Sequence, residues 1–440
     1  MNTSRACSEV WVEGISAYLP HHYLCHDDLA VRTGTDPEKY ARGLGCTSMA
    51  VLHPMQDSVT MAAEAGLSLL TSYGVDPASV GQLIVGTESG VDWAKPVAAY
   101  VHEMIGLSPR CRTYDVQHAC YGASAALSSV GAWIASGMAA GRKALVIATD
   151  VARYDDGSPG EATQGAGAVA MLVGDSHTGV LRPDLGMEAV YSSQVMDFWR
   201  PGHRSTAVVK GKYSINCYLA ALAQTYQVHR EAGGEGIDEL DYLLFHLPFP
   251  RMSEKALGKL MEAECGQVDE ETFSKVLREK VNPGVEAARI VGNIYSGSLY
   301  LALASLLENR GARCTGRRVG LFSYGSGCCA EFFTATIGDS NECWKGRTGV
   351  ERTSTSSTRI GVETYAAFRR ETSRLNSDDS FKLGHMPCAD SVPPDARYVY
   401  LGYRNQKRVY APGPAGRIAR VGSQVGRVSR SVPQPVGPTT

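Results

Sequence analysis

Short β-branched apolar runs alternate with stretches of helical periodicity along most of the chain, the pattern of an α/β protein. The runs at 82–85, 144–149, 168–173, 242–245 and 319–323 predict strands, each apolar enough to be covered on both faces. Between them the 3.6-residue period predicts helices over 61–70, 120–136, 218–230, 253–264 and 295–309, the last stopped by Gly311. In each half a strand, a helix rich in small apolar residues and a second strand follow in the same order. In the first, a strand ends at Glu88, a helix starts at Cys120 and a strand ends at Asp150. In the second the corresponding positions are His246, Asn293 and Ser326. The order suggests a duplicated fold rather than the three domains that length alone would favour. The expected division is 9–175 for the N-terminal half and 176–411 for the C-terminal half. The Pro/Gly/Arg-rich stretch 412–440 has no periodicity and predicts a disordered tail. The TSTSST run, Thr353–Thr358, predicts an exposed loop.

Residues 116–141 contain no Asp, Glu, Lys or Arg, a length that can span a bilayer. Their Gln117, His118 and many Ser and Gly residues argue instead for a buried helix of a large soluble protein. Lys+Arg of 43 against Asp+Glu of 45 gives a net charge of −2, without the basic surplus of a nucleic-acid binder. No apolar signal segment opens the chain, and none of the 12 cysteines forms a C-x-x-C pair. The expectation is a cytoplasmic protein with free thiols and no membrane or nucleic-acid partner.

Three reactive side chains stand where strands or helices meet loops. Cys120, in HACYGASAAL, sits at the predicted start of a helix, where the dipole favours a thiolate. Glu88, in LIVGTESG, and His246, in LLFHLPFPRM, each close an apolar strand. A carboxyl there is raised by burial toward the range of a general base, and an imidazole there is either a hydrogen-bonded core residue or an acid/base. Catalytic groups of α/β sheets gather beyond the carboxyl ends of strands, so the three are worth more together than singly. In LFSYGSGCC, glycines flank Ser326 and permit a tight turn with a backbone N–H aimed at an oxyanion, though not in a G-x-S-x-G elbow. GEATQGAGAVA lacks P-loop or Rossmann spacing. His22, Cys25 and His26 can share one helix side as metal ligands, but no second pair accompanies them and no metal is expected.

Taken together, ESGVDWAK, ACYGASAAL, LVIATDVARY, GEATQGAGAVAMLVG, VMDFWRP, FHLPFPRM, VGNIYSGSLYLALASLLENRG and GLFSYGSG resemble the hydroxymethylglutaryl-CoA synthases, from about residue 15 to 410. The resemblance implies a thiolase-like fold of two similar halves, each with a mixed sheet and a buried central helix. It implies an acyltransferase that condenses acetyl-CoA with acetoacetyl-CoA through an acetyl-cysteine, in the mevalonate route to isoprenoids, with CoA thioesters as substrates, no cofactor and a homodimeric assembly. By the same resemblance Cys120 is the nucleophile, Glu88 the general base, and His246 the group that orients and polarises the second carbonyl. Asn293, Ser326, Thr163 and Asp36 match substrate- or product-contacting positions, with the Cys120 and Ser326 N–H groups forming the oxyanion hole. Arg251 and Lys255 match basic positions near the CoA phosphates. GCCAEFF and ESGVDWAK are more like the polyketide β-branching relatives, whose substrates ride on acyl carrier protein. That is the alternative reading. A binding-only pocket and a Cys–His hydrolase are the other classes; the second would give product without carbon–carbon bond formation.

Overall fold

The computed structural model describes residues 9–338, 344, 346–351, 356–377 and 391–416. Its ten-stranded sheet runs in the order Tyr242–Phe245, Arg318–Gly325, Cys329–Ile337, Leu181–Pro183, Trp11–Tyr18, Ala166–Gly174, Lys143–Val151, Val80–Gly86, Arg112–Val116, and Ala189–Ser192 pairs beside Cys329–Ile337. Val80–Gly86 is parallel to both Arg112–Val116 and Lys143–Val151, after which Ala166–Gly174 and Trp11–Tyr18 run antiparallel. The other half has the same kernel: Tyr242–Phe245 parallel to Arg318–Gly325, then Cys329–Ile337 antiparallel. Leu181–Pro183 joins the two, pairing with Trp11–Tyr18 only at Val12–Leu181. The fold is α/β with a large mixed sheet, and every expected strand lies inside an observed one.

The unbroken apolar runs follow from layering. Every residue of Val80–Gly86 and Ala166–Gly174 is buried, because helix Ser58–Ser72 covers one face and Gly122–Ala135 the other. Helix Ser298–Arg310 occupies the corresponding place in the second half, and its residues 298–307 are all buried. Ser124 and Tyr300 hydrogen-bond between the two central helices at 2.8 Å. The uncharged stretch is thus a core helix, and no described helix is long and apolar enough to cross a membrane.

Helix ends differ from those the periodicity predicts. The helix expected from Cys120 starts at Gly122 and ends at Ala135, leaving Cys120 in the turn before it. Tyr295–Gly297 forms a separate 3-10 turn ahead of Ser298–Arg310, which stops at Gly311 with φ 51°. The long helix Gly211–Glu231 begins seven residues earlier than its periodicity showed. Periodicity missed Trp11–Tyr18, where Glu13 and a bulge between Val12 and Gly14 interrupt the alternation. It also missed Cys329–Ile337, which carries a buried Glu331. Thr358, assigned above to a loop, pairs with His22 as a short parallel strand, and 352–355 lie outside the described residues. The start of the expected tail is ordered: Pro412 ends a hairpin strand, and Gly413 and Ala415 donate to the carbonyls of Arg397 and Ala396. Residues 417–440 lie outside the described residues.

Candidate active site

Glu88 lies two residues past strand Val80–Gly86, and Cys120 follows the neighbouring strand Arg112–Val116. Because these strands are parallel and adjacent, both side chains emerge at the same end of the sheet. The Cys120 thiol donates to Glu88 Oε1 at 3.9 Å. Ala119 has φ 34°, a left-handed turn rare for a residue with a Cβ, and it re-aims the chain just before Cys120. The closeness of this strand's end to the start of helix Gly122–Ala135 rests on Gly86: a Cβ there would lie 2.4 Å from the Ala123 nitrogen.

Behind Glu88 sits Asp150, at the end of Lys143–Val151 and wholly buried. Its Oδ1 accepts from the Glu88 and Ser89 backbone N–H groups and from the Thr87 and Ser89 hydroxyls at 2.8–3.1 Å. Its Oδ2 accepts from the Ser296 N–H and hydroxyl of the other half, at 3.2 and 2.8 Å. Burial pushes Asp150 up to about 6, but its hydrogen-bond donors hold it there, so it is the acid that ionises first. Glu88, with one thiol, is pushed up further, first by burial and then by Asp150, while Arg200 draws it partly back.

The second half supplies the rest. His246 follows Tyr242–Phe245, its N–H held by the Phe322 carbonyl at 2.8 Å. Burial alone pushes the imidazole down to about 3, so it is neutral, and Nδ1 has no hydrogen-bond partner. Asn293 is also buried; its Oδ1 accepts from the Tyr295 N–H and the Ser298 hydroxyl at 2.8 and 2.9 Å, and its N–H donates to the Thr163 carbonyl at 3.0 Å. Ser326 donates to Asp197 Oδ2 at 2.8 Å. Asp197, fully buried, also accepts from the Tyr324 hydroxyl and the Gly327 N–H, at 2.9 and 3.2 Å, and so anchors the turn.

These links run continuously from Glu88 and Cys120 through Asp150 and Ser296 to Tyr295, Asn293 and Thr163. Asp150 and Asp197 act on Cys120 through their charge, while burial, and then Cys120 and Glu88, push the Tyr154 phenol up. Tyr324 and His246 both pack around Tyr218. Arg251, Lys255 and Asp36 lie apart, on the surface. Arg251 pairs with Glu254, and its N–H donates to the Leu44 carbonyl. Lys255 is exposed on helix Met252–Cys265, and Asp36 caps Pro37–Gly43 by accepting from the Glu38 N–H at 3.0 Å.

Two expectations are corrected. The helix dipole does not rule Cys120: burial, then Glu88, Asp150 and Asp197, push the thiol well up, so it is protonated at rest. His22, Cys25 and His26 share no helix face, since His22–Cys25 is a strand and only His26 belongs to the helix that follows. Sequence reasoning missed Asp150, Asp197, Tyr154 and Tyr295. The signal for the first was present, because Asp150 closes an apolar strand just as Glu88 does. Asp197 ends no apolar strand, and only the folded turn reveals it.

A nucleophile-bearing turn leading into a buried helix, a carboxyl at the next strand's end, and a His and Asn from a topologically similar half define a thiolase-fold condensing enzyme. Comparison with known proteins narrows the class. The family models described as hydroxymethylglutaryl-coenzyme A synthase N terminal and C terminal match residues 6–178, and 183–276 with 266–361. The chain belongs to the hydroxymethylglutaryl-CoA synthase family, acyltransferases of the condensing type. It is 37% identical over 329 residues, 74% of this chain and 83% of the relative, to the hydroxymethylglutaryl-CoA synthase of Enterococcus faecalis, and 32% identical over 372 residues, 74% and 75%, to that of Saccharomyces cerevisiae. Among solved structures, MvaS in complex with 3-hydroxy-3-methylglutaryl coenzyme A superposes with TM-score 0.83 at 36% identity, covering 92% of this chain and 99% of that one. The curacin-pathway HMG synthase in complex with acetyl donor-ACP gives TM-score 0.86 at 29% identity, covering 92% and 100%.

Proposed function

We propose that the chain condenses acetyl-CoA with acetoacetyl-CoA through an acetyl thioester on Cys120. The observation that carries this reading is the 3.9 Å contact between the Cys120 thiol and Glu88 in a buried site. The Cys120 sulfur attacks the acetyl thioester and CoA leaves with the thiol proton. Glu88, in its ionised form, then takes a proton from the acetyl methyl group. The resulting enolate, held by the Cys120 and Ser326 N–H groups, attacks the ketone of acetoacetyl-CoA, and the alkoxide that forms takes up a proton, balancing the one Glu88 removed. His246, neutral, orients that ketone and polarises it by donating a hydrogen bond. Water cleaves the enzyme thioester, releasing HMG-CoA and restoring the thiol. Splitting the reaction through a covalent intermediate replaces one difficult step by easier ones.

Asn293 and Thr163 line the acyl groups, and Arg251 and Lys255 meet the CoA phosphates from the surface. Asp36, engaged in capping its own helix, is the weakest member of the substrate set. The further elements of this reading are a homodimer, division near residue 175, no cofactor, and a cytoplasmic site, which the nine free described cysteines fit. A carrier-protein substrate is the second reading, favoured by the likeness to the curacin-pathway synthase. The higher identity to the Enterococcus enzyme supports the CoA reading over it. Incubation with acetyl-CoA alone should add one acetyl group at Cys120, and Cys120→Ala should prevent it. Acetyl mapping to Cys217 or Cys328 with Cys120 free would overturn the assignment.

A further inference from the structure

A cavity of about 100 Å³ lies between helix Val362–Ser377 and the strand ends at 151–153 and 164–166. It is large enough for several waters or one small solute. Among the described residues, Arg153 and Arg369 are the only charged ones on its wall, Gln164, Ser205, Thr206 and Tyr365 add polar groups, and no carboxylate lines it. Arg369 is fully engaged, with Asp156 at 2.7 Å, the Tyr154 carbonyl at 2.9 Å and Gln164 at 3.2 Å. Arg153 is not. Among the described residues its guanidinium makes no hydrogen bond and no ion pair, and the nearby carboxylate that favours its charge, Asp57, is bound by Arg408 at 2.8 Å.

An unpaired, part-exposed guanidinium facing a cavity whose described wall carries no acid is a favourable seat for an anion. We propose that this cavity binds a small oxyanion, a phosphate or carboxylate group, with Arg153 as its principal contact. Guanidinium is suited to the task, since its planar fork matches both groups. Burial, and then Arg369 and Arg200, push Arg153 down to about 10, a penalty that a bound anion would relieve. The site differs from the surface formed by Arg251 and Lys255, neither of which lines it. It sits directly behind the catalytic layer: Tyr154 and Thr163 adjoin Arg153 and Gln164 in sequence, and Gln164 Oε1 accepts from the Tyr154 N–H at 2.7 Å.

The test is calorimetric titration of the full chain, without CoA, with inorganic phosphate and separately with succinate. Saturable binding of either anion is expected, weakened at least tenfold in Arg153→Gln, weakened less in Arg153→Lys, which keeps the charge without the fork, and retained in Arg251→Gln/Lys255→Gln. Whichever anion binds more tightly identifies the source of the group. The proposal is overturned if neither anion binds saturably, if Arg153→Gln binds as the wild type does, or if Arg251→Gln/Lys255→Gln abolishes binding. Acetylation of Cys120 by acetyl-CoA, measured on the two Arg153 variants, and the circular dichroism spectrum and melting temperature of Arg251→Gln/Lys255→Gln report that the fold is intact. Should Arg153→Gln fail that check, binding as tight as the wild type's in an acetylating Arg153→Lys would likewise overturn it.

Discussion

At the residue scale, the site is governed by which buried acid holds a charge. Glu88 is raised because it is buried beside Asp150, which has taken the available donors. A raised carboxyl becomes a base only above its raised value. The condensation rate should therefore fall as pH drops through a midpoint above the ordinary carboxylate range, and a pH–rate profile checks this. Linkage gives the sign for stability. Between the ordinary and the raised value the folded state binds more protons than the unfolded, so Glu88 costs stability as pH rises through that window. Glu88→Gln should raise the melting temperature at pH 8 and have little effect near pH 4.5. Glu88→Ala should spare acetylation of Cys120, because removing that charge eases thiolate formation, yet slow condensation by about 10²–10⁴, the usual worth of a positioned base. Loss of both half-reactions together, measured by mass spectrometry on one folded preparation, would make Glu88 structural.

At the element scale, close backbone approaches place the reactive turns. Gly86 lets strand Val80–Gly86 meet the first turn of helix Gly122–Ala135, and Gly325 lets the Ser326 turn meet Tyr121, where a Cβ would lie 2.6 Å from the Tyr121 Cβ. Gly86→Ala must push against backbone, a rigid obstacle. Overpacking of this kind costs about 1–3 kcal/mol, and the displaced helix start should lower kcat as well, with a denaturant melt beside steady-state kinetics as the measurement. Asp197 plays the complementary part, tying down the turn after Arg318–Gly325 through Ser326 and Gly327. Asp197→Ala strands several buried donors, each worth about 1–3 kcal/mol. It should destabilise the chain by the order of 3 kcal/mol and impair condensation more than acetylation.

At the scale of the whole molecule, two topologically similar halves meet so that Glu88 and Cys120 come from one and His246, Asn293 and Ser326 from the other. Asp150 crosses that boundary through Ser296, and Ser124 crosses it through Tyr300. The overall shape matches CoA- and carrier-linked relatives almost equally, with TM-scores of 0.83 and 0.86, so shape does not choose the carrier. Substrate kinetics does. Free acetoacetyl-CoA should be used well, and a preference for carrier-bound substrate of about two decades in kcat/KM, roughly 2.7 kcal/mol of transition-state discrimination, would favour the polyketide reading.

The sequence by itself determined the buried strands and the central helices, and it put Glu88, Cys120 and His246 forward as the reactive set. Continuous apolar runs and polar residues at their ends are local signals, written within a few positions. It also determined the family, since motifs of that length and order are specific. Only the tertiary structure decided which acid stays ionised, because that depends on donors contributed by Thr87, Ser89 and a serine in the other half. The same holds for the protonated state of Cys120, where burial and three acids distant in sequence outweigh a dipole that local pattern suggests. Strand Trp11–Tyr18 was illegible for a related reason: Glu13 is buried there because Lys143, 130 residues away, pairs with it. Charge balance in a protein interior is set by neighbours in space, and a single chain read in order does not show them.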